Sequence, residues 1–193
     1  MKNYRLLLSG LMFILCSALT MIEAQGQNQL LRELAKEDQD SRSGKEIART
    51  DEERGKIELS LIGQGELKTP EDKYNAALVL QHTPFTYCEK RLVSKSPDNY
   101  LLAHHLFQSA YAGGYKDARY LIAASIDRYL SMTQGYQKYG TNRITNQETG
   151  KDEWVPIDRK TPDSEAQNTA CYRWPNSSSD SLNSHRRNRS KYA

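Results

Sequence analysis

Apolar residues recur along this chain with a helical period, and turn chemistry separates the repeats. Leu30, Leu31, Leu34 and Ala35 form one stripe, which predicts a helix over 28–40 with Asn28 as its N-cap. Asp38-Gln39-Asp40 and Arg42 lie at its polar end. Thr50 and Glu53 have capping-box spacing, and Ile57, Leu61 and Ile62 fit the period of a second, charged helix that Gly63 and Gly65 end. Thr69-Pro70-Glu71-Asp72 joins a cap, a first-turn proline and two acids. It opens a third helix carrying Tyr74, Ala77, Leu78 and Leu80, which runs to Gln81-His82 and is stopped by Pro84. Ser96-Pro97-Asp98 repeats this grammar for a fourth helix with Leu101, Leu102, Ala103, Leu106, Phe107 and Ala110, ended by Gly113-Gly114. A fifth helix is expected over about 116–131, and the short connection makes it an antiparallel neighbour of the fourth.

Beyond Gly135 the pattern changes. Residues 138–145 and 152–157 read as two short strands around turn residues 146–150, with Pro156 at an edge or strand end. Two strands alone are marginally stable, so the hairpin is expected to pack on the helices. The predicted fold is mainly α, with antiparallel helical hairpins and a small C-terminal β-hairpin packed on them.

The two ends have a different character. Lys2 and Arg5 precede an apolar run over 6–22, followed by Glu23-Ala24 and the polar Gln25-Gly26-Gln27-Asn28. This is the layout of a secretory signal cleaved after Ala24, and it predicts a secreted or periplasmic protein. The alternative is a membrane anchor, but the run is interrupted and marginal against the roughly 20 residues needed to span. Cys16 belongs to the leader, because Phe13-Ile14-Leu15 lacks the small residue expected before a lipidated cysteine. Cys88 and Cys171 remain, and export would permit a disulfide between them. Residues 176–193 have few apolar positions and are expected to be disordered.

Charge narrows the partners. The formal net charge is +3, of which the tail carries +3 and the leader +1, leaving the body over 25–175 near −1. A basic nucleic-acid face is therefore not expected for the body, which reads as a single domain. The tail, with Arg186, Arg187, Arg189 and Lys191, could contact an anionic surface. No His-x-x-x-His, Cys-x-x-Cys, Gly-x-Ser-x-Gly or phosphate-loop pattern occurs, so no metal or cofactor is implied and the ligand or protein partner is unassigned.

The candidate chemistry centres on Asp127-Arg128. Asp127 continues a face made of Tyr120, Ala123 and Ala124, which places a carboxylate where small residues let another element approach. A buried charge is costly unless paired. His82, His104, Asp127, Arg128 and Gln137 come from three helices and the following loop. If they converge, a His–Asp pair could move a proton, with His82, His104 and Asp127 as catalytic candidates. Arg128, Gln137, Lys138, Tyr139 and Thr141 would then bind the ligand, Arg128 or Lys138 holding an anionic group. His104 and His105 are about 100° apart around a helix, so only one can face such a site. The other reading is a lock, in which Asp127 accepts bonds from the Tyr139-Gly140-Thr141 backbone and Gly140 supplies a positive φ or a close approach.

Over 67–158 these elements resemble an uncharacterised bacterial family. Its members share T-P-E-D, Q-H, A-H, D-R and Q-K-[FY]-G-T-[QN]. They correspond here to Thr69-Pro70-Glu71-Asp72, Gln81-His82, Ala103-His104, Asp127-Arg128 and Gln137-Lys138-Tyr139-Gly140-Thr141-Asn142. A glutamine often follows G-T where this chain has Asn142. The resemblance implies a shared fold, selects His104 over His105 and brings no established activity. The Ala103…Phe107…Ala110…Gly113-Gly114…Asp117-Ala118…Leu121 pattern also resembles one Sel1 or tetratricopeptide-type hairpin, although such arrays normally need about three repeats. The leading expectation is a binding or structural module. The alternative is a small hydrolase-like enzyme using a His/Asp/Arg cluster.

Overall fold

A computed structural model describes residues 26–88, 91–146, 149–158, 160 and 162. The expected signal peptide over 1–24, Cys171 and the tail over 176–193 lie outside the described residues.

Helix α1 (Gln29–Arg42) starts at Asn28, whose side chain accepts from the Leu30 and Leu31 amides. Helix α2 (Asp51–Gly63) starts with the complete Thr50–Glu53 capping box. Helix α3 (Pro70–Leu80) starts with a second box, in which Thr69 and Asp72 exchange bonds around the proline. Asp72 does more than cap, because its other oxygen accepts the Asn28 amide at 2.7 Å and so joins the starts of α1 and α3. Helices α4 (Asp98–Ala112) and α5 (Ala118–Gln134) complete the helical part. Pro97 occupies the N-cap of α4 and no side chain caps it, so Ser96 does not play the expected role.

Antiparallel neighbours α3, α4 and α5 enclose the main core, built on Ala77, Leu80, Ala103, Phe107, Ala110 and Ala118. A second cluster of Leu34, Ala35, Leu78 and Val79 docks α1 on α3. Small residues bring backbones close at the α3–α4 contact. A Cβ on Gly113 would sit 2.6 Å from Cγ of Pro70.

The strands differ from expectation in two ways. Strands β1 (Phe85–Cys88) and β2 (Arg91–Ser94) form an antiparallel hairpin between α3 and α4 that the sequence pattern did not announce. Its four-residue strands follow Pro84 without a clear alternation. Strands β3 (Arg143–Thr145) and β4 (Asp152–Trp154) form the expected C-terminal hairpin but are only three residues each and exposed throughout. Burial comes from the residues beside them, Tyr139 and Val155. Helix α5 runs three residues past its expected end, to Gln134, where Gly135 in the left-handed region (φ 76°) terminates it. Among the described residues, no helix is long and apolar enough to cross a membrane.

Candidate functional site

The structure separates the predicted polar residues into two groups. The first surrounds Asp127. On α5, Ala123, Ala124 and Asp127 are buried, whereas Tyr120 at the end of that face is exposed. Asp127 Oδ1 accepts the Lys138 amide at 2.7 Å and the Tyr139 amide at 2.9 Å. Its Oδ2 accepts the Thr141 amide at 2.9 Å and the Thr141 hydroxyl at 2.7 Å. Both carboxylate oxygens are therefore committed to the loop after α5. Gly140 lets the loop turn, with φ 78° and Ile157 Cδ1 only 3.2 Å from where a Cβ would be.

Gln137 repeats this logic one layer outward. Fully buried, it donates through Nε2 to the carbonyls of Asn142 (3.0 Å) and Val155 (2.7 Å), while Oε1 accepts the Asn142 amide (2.7 Å). Its own backbone pairs with Pro156 and Asp158. Asp127 and Gln137 thus satisfy the backbone of an irregular segment whose strand-like pairing is the single parallel bridge between Gln137 and Ile157 among the described residues. Lys138, Tyr139 and Thr141 enter the network through backbone amides and one hydroxyl. Together these contacts form a lock.

His104 is also held structurally. Its Nδ1 donates to the Ile122 carbonyl at 2.8 Å, tying α4 to α5. Burial lowers its pKa, partly opposed by that carbonyl, which favours a neutral ring. His105 is exposed, hydrogen-bonds Gln108 and meets the His104 ring edge-on. No bond joins either ring to Asp127.

The second group gathers where α1, α2 and α3 meet. His82 Nδ1 lies 2.7 Å from Asp38 Oδ2, and Asp38 is buried. Asp38, rather than Asp127, is therefore the carboxylate that orients a histidine here. Asp38 extends the Leu31, Leu34, Ala35 stripe by one turn, so it faces inward by the same periodicity that flags Asp127. Buried Arg54 lies 3.8 Å from Asp38 Oδ1 and bonds Asp51 and the Arg49 carbonyl. Arg42 bridges Asp51 and lies 3.7 Å from Asp38. Arg128 reaches the same neighbourhood from α5, donating to Gln81 Oε1 at 2.7 Å. Burial lowers its pKa, Tyr100 and Tyr120 oppose the shift more than Asp38 does, and Arg42 adds to it.

Helix α2 inverts its expected polarity. Arg54 and Glu58 are its buried residues, whereas Ile57, Leu61 and Ile62 are half-buried. Neither oxygen of Glu58 has a hydrogen-bond partner, and burial pushes its carboxyl up to about 8.

His82 borders a cavity of about 260 Å³ between α2, the end of α3 and the start of α4. Its apolar wall is Leu59, Val79, Leu80 and Pro84, and its polar wall includes Lys95, Ser96 and Asn99. The β1–β2 hairpin places that polar wall by returning the chain to its start. The Lys95 amide donates to the Pro84 carbonyl at 2.9 Å, and Ser94 Oγ meets Thr83 Oγ1 at 2.7 Å. With Nδ1 held by Asp38, Nε2 of His82 is the nitrogen left for the cavity, and it has no partner among the described residues.

No protein-family model, curated protein or solved structure matches the chain. Chemistry must therefore be argued from the two groups themselves. Among the described residues, no cluster of three or more His, Cys, Asp or Glu could hold a metal ion. Cys88 is an exposed free thiol at the end of β1, and its expected partner Cys171 lies outside the described residues.

Proposed function

We propose that this is an exported binding module whose ligand site is the cleft at His82. The carrying observation is the setting of that ring. A buried carboxylate fixes one nitrogen, and the other side borders an open cavity with apolar and polar walls. Export rests on the basic, apolar and small-residue layout of the first 24 residues. The Asp127 and Gln137 network serves this module as scaffold.

Gly55 provides a test that leaves the fold intact. It lines the cleft, and a Cβ there would meet nothing within 4 Å. Gly55→Leu should fill the cleft while gaining helix propensity, roughly 0.5–1 kcal/mol. Small molecules that raise the melting temperature of the wild type should leave that of Gly55→Leu unchanged. Equal stabilisation of both proteins would place the ligand elsewhere.

The 2.7 Å His82–Asp38 pair favours a second reading, a small hydrolase-like enzyme. His82 Nε2 would take a proton from a cleft water as that water adds to an ester or amide carbonyl. The tetrahedral adduct would then collapse with cleavage of the bond to the alcohol or amine, which leaves with the proton returned by the imidazolium that Asp38 stabilises. Turnover of ester or amide substrates that disappears in His82→Gln supports this reading. Wild-type protein with no turnover ends it.

A further inference from the structure

We propose that the His82 cleft recognises a short organic carboxylate, with its chain on the apolar wall and its anionic end at Lys95. This rests on the reading that the cleft is a ligand site and adds the ligand's chemical class.

Most charges around the cleft are already paired. Asp51 is neutralised by Arg42 and Arg54, and Glu52 pairs with Lys56 at 2.9 Å. Lys95 has no carboxylate within salt-bridge distance among the described residues. It is still close enough to help Lys56 hold the Glu52 carboxyl below its usual range. The rim thus presents one cation that feels the field of Glu52 but makes no direct ion pair among the described residues. Beside it, the side chains of Ser96 and Asn99 have no hydrogen-bond partner among the described residues, and His82 Nε2 is open on the same cavity. These groups offer an anion one charge and several hydrogen bonds. The start of α4, which Ser96 and Asn99 flank, has no capping side chain, but Asp98 in its first turn offsets its positive end, so the attraction for an anion comes from Lys95 and the hydrogen-bonding side chains.

The remaining wall selects the rest of the ligand. Leu59, Val79, Leu80 and Pro84 offer no polar group to an oxygen-rich molecule, which disfavours a free phosphate or a sugar acid. The guanidinium groups of Arg42 and Arg54 are engaged by Asp51, so no fork is free to clamp a phosphate. At about 260 Å³ the cavity has room for a small organic molecule. An acid of a few carbons fits within that space.

The test compares hexanoate with hexanamide, which has the same shape and no charge, by calorimetric titration of the purified protein and of two variants. Hexanoate should bind at least tenfold more tightly than hexanamide. Lys95→Met should reduce that preference to within about twofold, and Gly55→Leu should abolish binding of both. Equal affinity for acid and amide, with loss in Gly55→Leu, overturns anion recognition and leaves the cleft as a ligand site. Hexanoate binding that survives Gly55→Leu overturns both readings. Failure of hexanoate to bind overturns the carboxylate proposal, and the Gly55→Leu stabilisation assay then judges the cleft independently.

Discussion

Glu58 should make the fold lose stability as pH rises, and Glu58→Gln should remove that loss. The folded carboxyl is pushed up to about 8 by burial, from an ordinary value of 4.5. An unfolded chain releases this proton near 4.5, whereas the native chain keeps it until near 8. Between those values the native state holds about one extra proton, so stability falls as pH increases. The slope is about 1.4 kcal/mol per pH unit. Across the window the loss is on the order of 5 kcal/mol, a large part of a typical stability of roughly 5–15 kcal/mol. The contribution is fully present below about pH 4.5 and is gone once pH has passed about 8. Glutamine keeps the shape and carries no titrating proton. Its unpaired amide costs about 1–3 kcal/mol at every pH. The variant should therefore match or trail the wild type near pH 5 and exceed it near pH 9. Urea unfolding across that range measures both curves, and unchanged m-values would show that the unfolded state is not responsible. Parallel curves would refute the reasoning, because they would mean that Glu58 gains a partner or water when charged.

Three further substitutions probe the packing. Asp127→Asn should cost about 3–5 kcal/mol, because an amide cannot accept from three backbone amides and a hydroxyl, and bonds to a charged group are worth about 1.5–3 kcal/mol each. A melting temperature equal to or above that of the wild type would show that the carboxylate is not a lock. Gly113→Ala should lose about 1–3 kcal/mol by pushing a methyl against the Pro70 ring, and Pro70→Ala in the same chain should recover part of it. Gly140→Ala should lose at least about 1–2 kcal/mol from its positive φ alone, read as a lower melting temperature, and an unchanged value would mean the loop rearranges freely.

Legibility followed the locality of the signal. The starts of α1, α2 and α3 were readable because caps and boxes act within four residues, and all three bond as their spacing requires. Asp127 was readable as an anomaly, since a carboxylate on an alanine face needs partners, and Gly140 pointed to the loop that supplies them. Asp38 was missed although it obeys the same rule, because the stripe of α1 was followed only to Ala35 and Asp38 was grouped with the helix's polar end. Arg54 and Glu58 were hidden for a related reason. Charged residues on a weakly amphipathic helix look exposed until neighbouring helices decide which side is covered. The β1–β2 hairpin depends on pairing between two short segments, which no single window displays. The cleft is further still from local signals, since α2, the end of α3 and the start of α4 meet there only in three dimensions.

The polar residues are proposed to divide into a scaffold around Asp127 and a ligand site around His82. Two-dimensional NMR of the protein during a screen of small organic fragments tests that division most directly. The account predicts that binding fragments shift the signals of Gly55, His82, Ser96 and Asn99, leaving those of residues 137–142 in place. Shifts centred on the 137–142 loop or on His104, with the His82 cleft silent, would contradict it.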